Sequence, residues 1–457
     1  MDDFDRKLHQ ATKDDKLPGT CILAADKNGK ILHSISSGTY INNSIWQSRL
    51  PSEETSIQTK PLSSESQVSR PIGLPAGGTS IQSKPLSPDA HVTKSFGPDT
   101  VCWIASMTKL LTTICVMKCV ENKLLNLDDD VSETYLPEFK DIQVLERMDE
   151  NDGPVLRPVK GKITLRALLT HSSGISYEFM HARLLSWRQW NNKDLRERGI
   201  KKTTEDRTEV SHAYRVPLVF DPETSWTYGY GIDWAGLCVE RATSSNLEDF
   251  MRKHIFQPLN MHDTTFEPAK YPHLAERMAG MIVRDEDGKL ISQEQTNTSS
   301  PIGGVRHAGG GGLASTAQDY IKVLISLLRN DSILLQPSTV DLMFTPQLKD
   351  STHLQKMHAN PEAFGLAGNI PARTKVDFGL GGILNLEEMR NTHRKAGGMQ
   401  WGGYPNLFWW INRQEGICGC YFTQLVPPGD PEAFGMYVEF ERAVNRAFGK
   451  GGNEAKL

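Results

Sequence analysis

The chain has 457 residues, a formal net charge of −4 and no long basic run. That length allows two lobes around a large core, and that charge argues against a nucleic-acid-binding protein. The seven cysteines are odd in number and scattered, no Cys-x-x-Cys or His-Glu-x-x-His spacing occurs, and no apolar run reaches membrane-spanning length, so buried reduced thiols are expected, and neither a zinc site nor a spanning helix is.

The expected reduced thiols suit an intracellular protein, and Met1-Asp2-Asp3-Phe4-Asp5 opens an acidic, polar N-terminus without the features of a signal peptide. Thr20-Cys21-Ile22-Leu23-Ala24-Ala25 and Ile31-Leu32-His33-Ser34-Ile35 flank the turn sequence Lys27-Asn28-Gly29-Lys30, a hairpin signature. Residues 45–98 then break the pattern. Leu50-Pro51 followed by Thr55 to Ser63 returns as Leu74-Pro75 followed by Thr79 to Ser87. This Ser-, Pro- and Gln-rich duplication reads as a flexible surface insertion, with a lid or carrier-docking loop as the alternative.

After the insertion comes Val101-Cys102-Trp103-Ile104, apolar and β-prone, and then Ser106-Met107-Thr108-Lys109. Ser106 is the chain's only serine with a lysine at the third following position. Leu110 to Met117 is apolar at helical spacing, and Glu121 to Lys123 close the helix. Ser106 is therefore expected in the first turn of a buried helix, sharing a face with Lys109. Free N–H groups and the positive helix end there favour a developing oxyanion. A lysine on so apolar a face loses hydration, which suits it to act as a base. Serine needs a good proton acceptor near neutral pH, and Tyr228, among glycines in Trp226 to Gly236, is the candidate for a second base.

Leu407 to Ile411 and Ile417 to Phe422, continuing through Leu425, are apolar strand runs joined by Asn412-Arg413-Gln414-Glu415-Gly416. Tyr437 to Phe448 is an amphipathic helix. The last three residues, Ala455-Lys456-Leu457, are a close variant of the Ser-Lys-Leu address read by the peroxisomal import receptor. The expected location is therefore the peroxisome, otherwise the cytoplasm. No Gly-x-Ser-x-Gly elbow occurs, which argues against an α/β-hydrolase, and no lysine follows Gly309 to Gly312 as a phosphate loop requires.

Ile104 to Lys109 and Ile163 to Gly174 resemble the serine β-lactamase and penicillin-binding-protein superfamily, more narrowly its class C-like esterase and transesterase branch. Tyr228 to Gly236, Ile255 to Phe266 and Gly309 to Asp319 extend that likeness, and Tyr228-Gly229, Asp233 to Gly236, Leu334 to Phe344, Phe378 to Ile383 and Pro405-Asn406 resemble the fungal lovastatin-type acyltransferases more closely. The resemblance implies a β-lactamase/transpeptidase-like fold: an antiparallel sheet flanked by helices, from residues 1–125 and 303–457, and a second, mainly helical lobe from 126–302. It implies Ser106 as the acylated nucleophile, Lys109 as its activator and Tyr228 as the tyrosine base. Trp401-Gly402-Gly403 would be the strand motif beside the nucleophile, and the N–H groups of Ser106 and Tyr404 would form the oxyanion hole. Tyr230 stands where β-lactamases keep an asparagine, and Trp401 replaces their carboxylate-binding lysine. Both departures argue against antibiotic hydrolysis and for an ester or thioester held by apolar contacts.

The expected function is ping-pong transfer of an acyl group through acyl-Ser106 to an alcohol or amine of secondary metabolism. The donor would be acyl-CoA, an acyl carrier protein or a small thioester. Tyr230, Trp401, Gly402 and Gly403 would contact substrate. Trp401, Tyr404 and at most one of Trp409 and Trp410, which alternate across a strand, would line an acyl or polyketide pocket. No cofactor or metal is expected. With water as acceptor the same site is an esterase or a lactone or lactam hydrolase. A binding protein that retained the scaffold is the third reading. Asp233 reads as a structural cap or salt-bridge partner in preference to a partner of a nearby base. His171, in a segment the family uses structurally, stands outside the catalytic set.

Overall fold

The structure is a computed structural model and describes residues 1–42, 93–149, 153–203, 205–292, 304–360 and 368–449. The duplicated insertion and Ala455-Lys456-Leu457 lie outside the described residues.

One antiparallel sheet carries the architecture. Its strands are β1 (Thr20–Asp26), β2 (Ile31–Ser37), β3 (Val376–Phe378), β4 (Ile383–Asn385), β5 (Gly398–Gly403), β6 (Leu407–Asn412) and β7 (Ile417–Phe422), in the order β3-β4-β5-β6-β7-β1-β2. The C-terminal strands join the N-terminal hairpin through β7 and β1, with Cys21 opposite Phe422 and Leu23 opposite Cys420.

Alternation along these strands sorts their side chains onto two faces. Ile22, Ala24, Phe408, Trp410 and Tyr421 pack with α1 (Asp2–Lys13) and α5 (Pro431–Phe448), where Phe4, Leu8, Tyr437 and Phe440 meet them. Leu23, Trp409, Cys418 and Cys420 face the other way, toward α2 (Thr108–Glu121) and α4 (Ala317–Arg329). Burying each such large apolar side chain contributes about 1.5–3 kcal/mol. α2 is buried nearly all round, which places its start inside the molecule.

The middle of the chain covers this second face. It contributes α3 (Gly231–Thr243), which packs along α2, and the helices Leu165–Leu169, Ala182–Glu197 and Leu247–Met251. It also contributes a hairpin, Gln143–Asp149 with Gly153–Pro158.

Two expectations need correction. Trp409 and Trp410 are both fully buried in opposite cores, so neither lines a pocket. The expected insertion runs too far: Thr93–Ser95 pairs with Thr39–Ile41, and Phe96 is buried edge-on against Tyr40 at 5.9 Å. Phe96 anchors a stretch whose other residues are polar. All seven cysteines are free and buried.

Candidate active site

Ser106 lies in a 3-10 turn, Ala105–Met107, that runs into α2. Ala105 holds a positive φ of 44°, a conformation that costs a non-glycine residue about 1–3 kcal/mol and persists only where its surroundings fix it. Here the Ile104 N–H donates to the Leu313 carbonyl at 3.0 Å, and the Tyr320 hydroxyl donates to the Met107 carbonyl at 2.9 Å. Ser106 itself is half-buried.

Lys109 follows one turn on and is 1 % exposed. Its Nζ lies 3.1 Å from Ser106 Oγ, 3.0 Å from the Tyr177 hydroxyl and 2.6 Å from the Gly310 carbonyl oxygen. An ammonium has three protons to place, and here are three acceptors. As a neutral amine, Lys109 donates to Gly310 and Tyr177 and turns its lone pair to the Ser106 hydroxyl, the arrangement that removes a serine proton.

The sequence pairs Lys109 with one tyrosine, Tyr228. In the structure Lys109 Nζ stands over the Tyr228 ring, 4.7 Å from its centroid, while the Tyr228 hydroxyl accepts from Trp401 Nε1 at 3.2 Å. The hydroxyl bonded to Lys109 is that of Tyr177, which sequence reasoning misses. Its one signal is position, three residues past Gly174 at the end of the family-like segment. The two tyrosines are locked side by side: Tyr177 N–H donates to the Tyr228 carbonyl at 3.2 Å, and the rings meet edge-on at 5.1 Å. Burial pushes the Tyr177 hydroxyl well above the usual tyrosine value, with Tyr228 and Asp233 adding to it, so it stays protonated.

Tyr230 forms the wall behind them. Its ring lies 4.4 Å from that of Tyr177 and stacks on Tyr214 at 4.2 Å. Its hydroxyl donates to Glu178 Oε2 at 2.6 Å, and Glu178 pairs with Arg188 at 2.5 Å. Trp401 packs on Tyr228 at 5.2 Å and Phe378 at 5.4 Å. His171 is buried against Trp226, Tyr228 and Phe378. Burial holds it well below the usual histidine value, with the Lys109 charge adding to the effect, so it is a neutral ring in an aromatic wall.

Gly402 and Gly403 end β5. A Cβ on Gly403 would stand 2.5 Å from the Ile104 carbonyl oxygen, so only glycine lets the strand end pass this close to the turn that carries Ser106. Tyr404 begins the turn into β6, with its side chain 38 % exposed and its ring 6.2 Å from Trp103. Among those residues no cluster of His, Cys, Asp and Glu is disposed to hold a metal ion.

A sheet whose strand end passes the start of a buried helix, with helices of a second layer closing over both, is the architecture of the active-site-serine penicillin-recognising enzymes and their esterase relatives. The chain belongs to the β-lactamase family, whose model matches residues 76–442. It is 38% identical over 358 residues to the monacolin J acid methylbutanoyltransferase of Aspergillus terreus, covering 77% of this chain and 84% of that protein. It is 37% identical over 336 residues to the lovastatin esterase of Penicillium rubens, covering 73% and 81%. Unliganded simvastatin synthase from Aspergillus terreus superposes with a TM-score of 0.78 at 32% identity, covering 98% of each chain. The protein is accordingly an acyltransferase or hydrolase of the serine β-lactamase superfamily.

Proposed function

We propose that the protein transfers an acyl group from a thioester or ester to an alcohol or amine acceptor through an ester on Ser106. One observation carries this reading: a buried amine 3.1 Å from a serine hydroxyl at a helix start, with its other protons already placed. Ser106 Oγ attacks the donor carbonyl carbon while its proton passes to Lys109 Nζ. The carbonyl oxygen becomes an oxyanion received by the N–H groups of Ser106 and Tyr404. Collapse breaks the bond to the thiolate or alkoxide, which leaves with the Tyr228 hydroxyl proton, so that a Tyr228 phenolate stands beside the Lys109 ammonium. The acceptor hydroxyl or amine then attacks the acyl-Ser106 carbonyl, giving its proton to Tyr228, and Ser106 Oγ departs with the proton held by Lys109.

Trp401 supports the choice of substrate. In place of a cation it offers an indole packed on Tyr228 and Phe378, so the site has an aromatic wall where a β-lactamase binds a carboxylate. Acyl-CoA, an acyl carrier protein and small thioesters are the donor classes that fit. Relatives named as an acyltransferase and as an esterase flank the two outcomes, transfer and hydrolysis, and water in the acceptor position gives the second.

Intact mass spectrometry after incubation with a small acyl thioester tests the reading. Parent protein should gain one acyl group, lost on adding an acceptor alcohol as the acylated alcohol appears, and Ser106→Ala should gain none. Release by water at the same rate with or without acceptor makes the protein an esterase. An acylated Ser106→Ala, or an unacylated parent, overturns the mechanism.

A further inference from the structure

Asp233 stands in the first turn of α3 and is 3 % exposed. Among the described residues it makes no ion pair; its Oδ1 accepts the Gly310 N–H at 2.8 Å. The same Gly310 gives its carbonyl oxygen to Lys109 Nζ at 2.6 Å. A Cβ on Gly310 would stand 2.3 Å from Asp233 Oδ2, so only glycine allows the carboxylate to close on this backbone. One residue thus turns its N–H to a buried acid and its C=O to a buried amine, with no side chain between them. The loop is held in place from α2, where Thr112 Oγ1 donates to the Gly309 carbonyl at 2.7 Å.

We propose that Asp233 is a positioning residue for the general base, its carboxylate acting through Gly310 to hold the ammonium that Lys109 becomes when it takes the Ser106 proton. The inference rests on the reading of Ser106 as nucleophile and Lys109 as its base. A charge created in a buried site is stabilised strongly by a fixed opposite charge nearby. Burial pushes the Asp233 carboxyl up to about 6, against the pull of the Lys109 charge and the Gly310 hydrogen bond. It is therefore ionised at neutral pH and neutral in mild acid.

The other groups facing Asp233 do not supply this charge. Tyr177 and Tyr214 feel its carboxylate and are held protonated by burial, as is Tyr230 at the start of α3. His171, beside Lys109, is neutral. On the helices packed around α3 the charges are engaged elsewhere. Arg166 pairs with Asp128, Glu248 with Arg252 and Lys118 with Glu121. On α3 itself Arg241 pairs with Glu138 and Glu240 lies against His307, and on the helix Val210–Ala213 His212 bonds Ser211.

The test is kcat/KM for a p-nitrophenyl acyl ester across the pH range, in the parent and in Asp233→Asn, which keeps the side-chain shape and an oxygen for Gly310. The variant should show a plateau at least about tenfold lower, should lose the limb near pH 6 that Asp233 protonation gives the parent, and should keep KM within about twofold. A role in folding alone would lower stability and leave that limb in place. A variant with full activity, or with the parent's profile merely scaled down, overturns the inference. If thermal unfolding shows that Asp233→Asn does not fold, Asp233→Ser, also uncharged and smaller, carries the same comparison. Intact mass with the same ester separates loss of the acyl-Ser106 mechanism from loss of the Asp233 role. A parent that takes no acyl group on Ser106 sinks the underlying mechanism. A parent that is acylated, with the limb unmoved in the uncharged variant, sinks only the role of Asp233.

Discussion

Lys109 meets two tyrosines in different ways, and the difference assigns them different work. It touches the oxygen of Tyr177 and the ring of Tyr228. Tyr177, held protonated by burial, fixes the direction of the amine. In the proposed mechanism Tyr228, whose oxygen accepts from Trp401, is the phenol that exchanges a proton with substrate. Removing a general acid–base group costs about 10²–10⁴-fold in rate, whereas removing one orienting hydrogen bond costs about tenfold, the equivalent of about 1.4 kcal/mol. Single-turnover acylation should therefore fall by about a hundredfold or more in Tyr228→Phe and by about tenfold in Tyr177→Phe. The reverse order would move the proton-exchanging role to Tyr177.

Strand β5 is the element that completes the site, because its last residues run against the turn that carries Ser106. With the Ile104 carbonyl only 2.5 Å from where a Gly403 Cβ would sit, Gly403→Ala must push strand and turn apart. The two N–H groups proposed to receive the oxyanion then separate, and loss of one such donor costs about 10²–10³-fold in kcat. Gly403→Ala should show a loss of that size with a thermal midpoint only a few degrees lower; unchanged turnover would mean that the strand takes no part in catalysis.

The elements that were legible in the sequence are those with a local cause. The β1–β2 hairpin shows its Asn-Gly turn, β6 and β7 are continuous apolar runs, and Ser106 to Lys109 announces itself by spacing. α5 begins earlier than its apolar stripe, at Pro431, because Asp430 caps it by accepting the Glu432 and Ala433 N–H groups at 3.1 and 3.0 Å. α1 goes unread because its core contacts, Phe4, Leu8 and Ala11, are spaced thinly through an acidic stretch. Tyr177 and Gly310 reach Lys109 across 68 and 201 positions, a distance over which no spacing rule operates.

At the scale of the whole molecule, N-terminal and C-terminal strands close one sheet, and the residues on either side of the long insertion pair in a small two-stranded sheet of their own. Ile41 and Thr93 are register partners in the small strand pair Thr39–Ile41 and Thr93–Ser95, so the residues flanking the insertion lie side by side. That pairing is secured from both sides. The Asn42 Nδ2 donates to the carbonyls of Ala275, Glu276 and Met278 at 3.1, 2.7 and 3.2 Å, and Phe96 is buried against Tyr40. An excursion between adjacent strand ends adds little to folding beyond its closure entropy, which changes slowly with length. Replacing residues 43–92 with a short Asn-Gly turn should therefore leave the thermal midpoint within about 2 °C and Ser106 acylation by a small thioester unchanged. A midpoint lower by about 5 °C or more would show that the insertion packs on the fold. Unchanged acylation by the small thioester, with transfer from an acyl carrier protein lost, would give the insertion a role in donor docking.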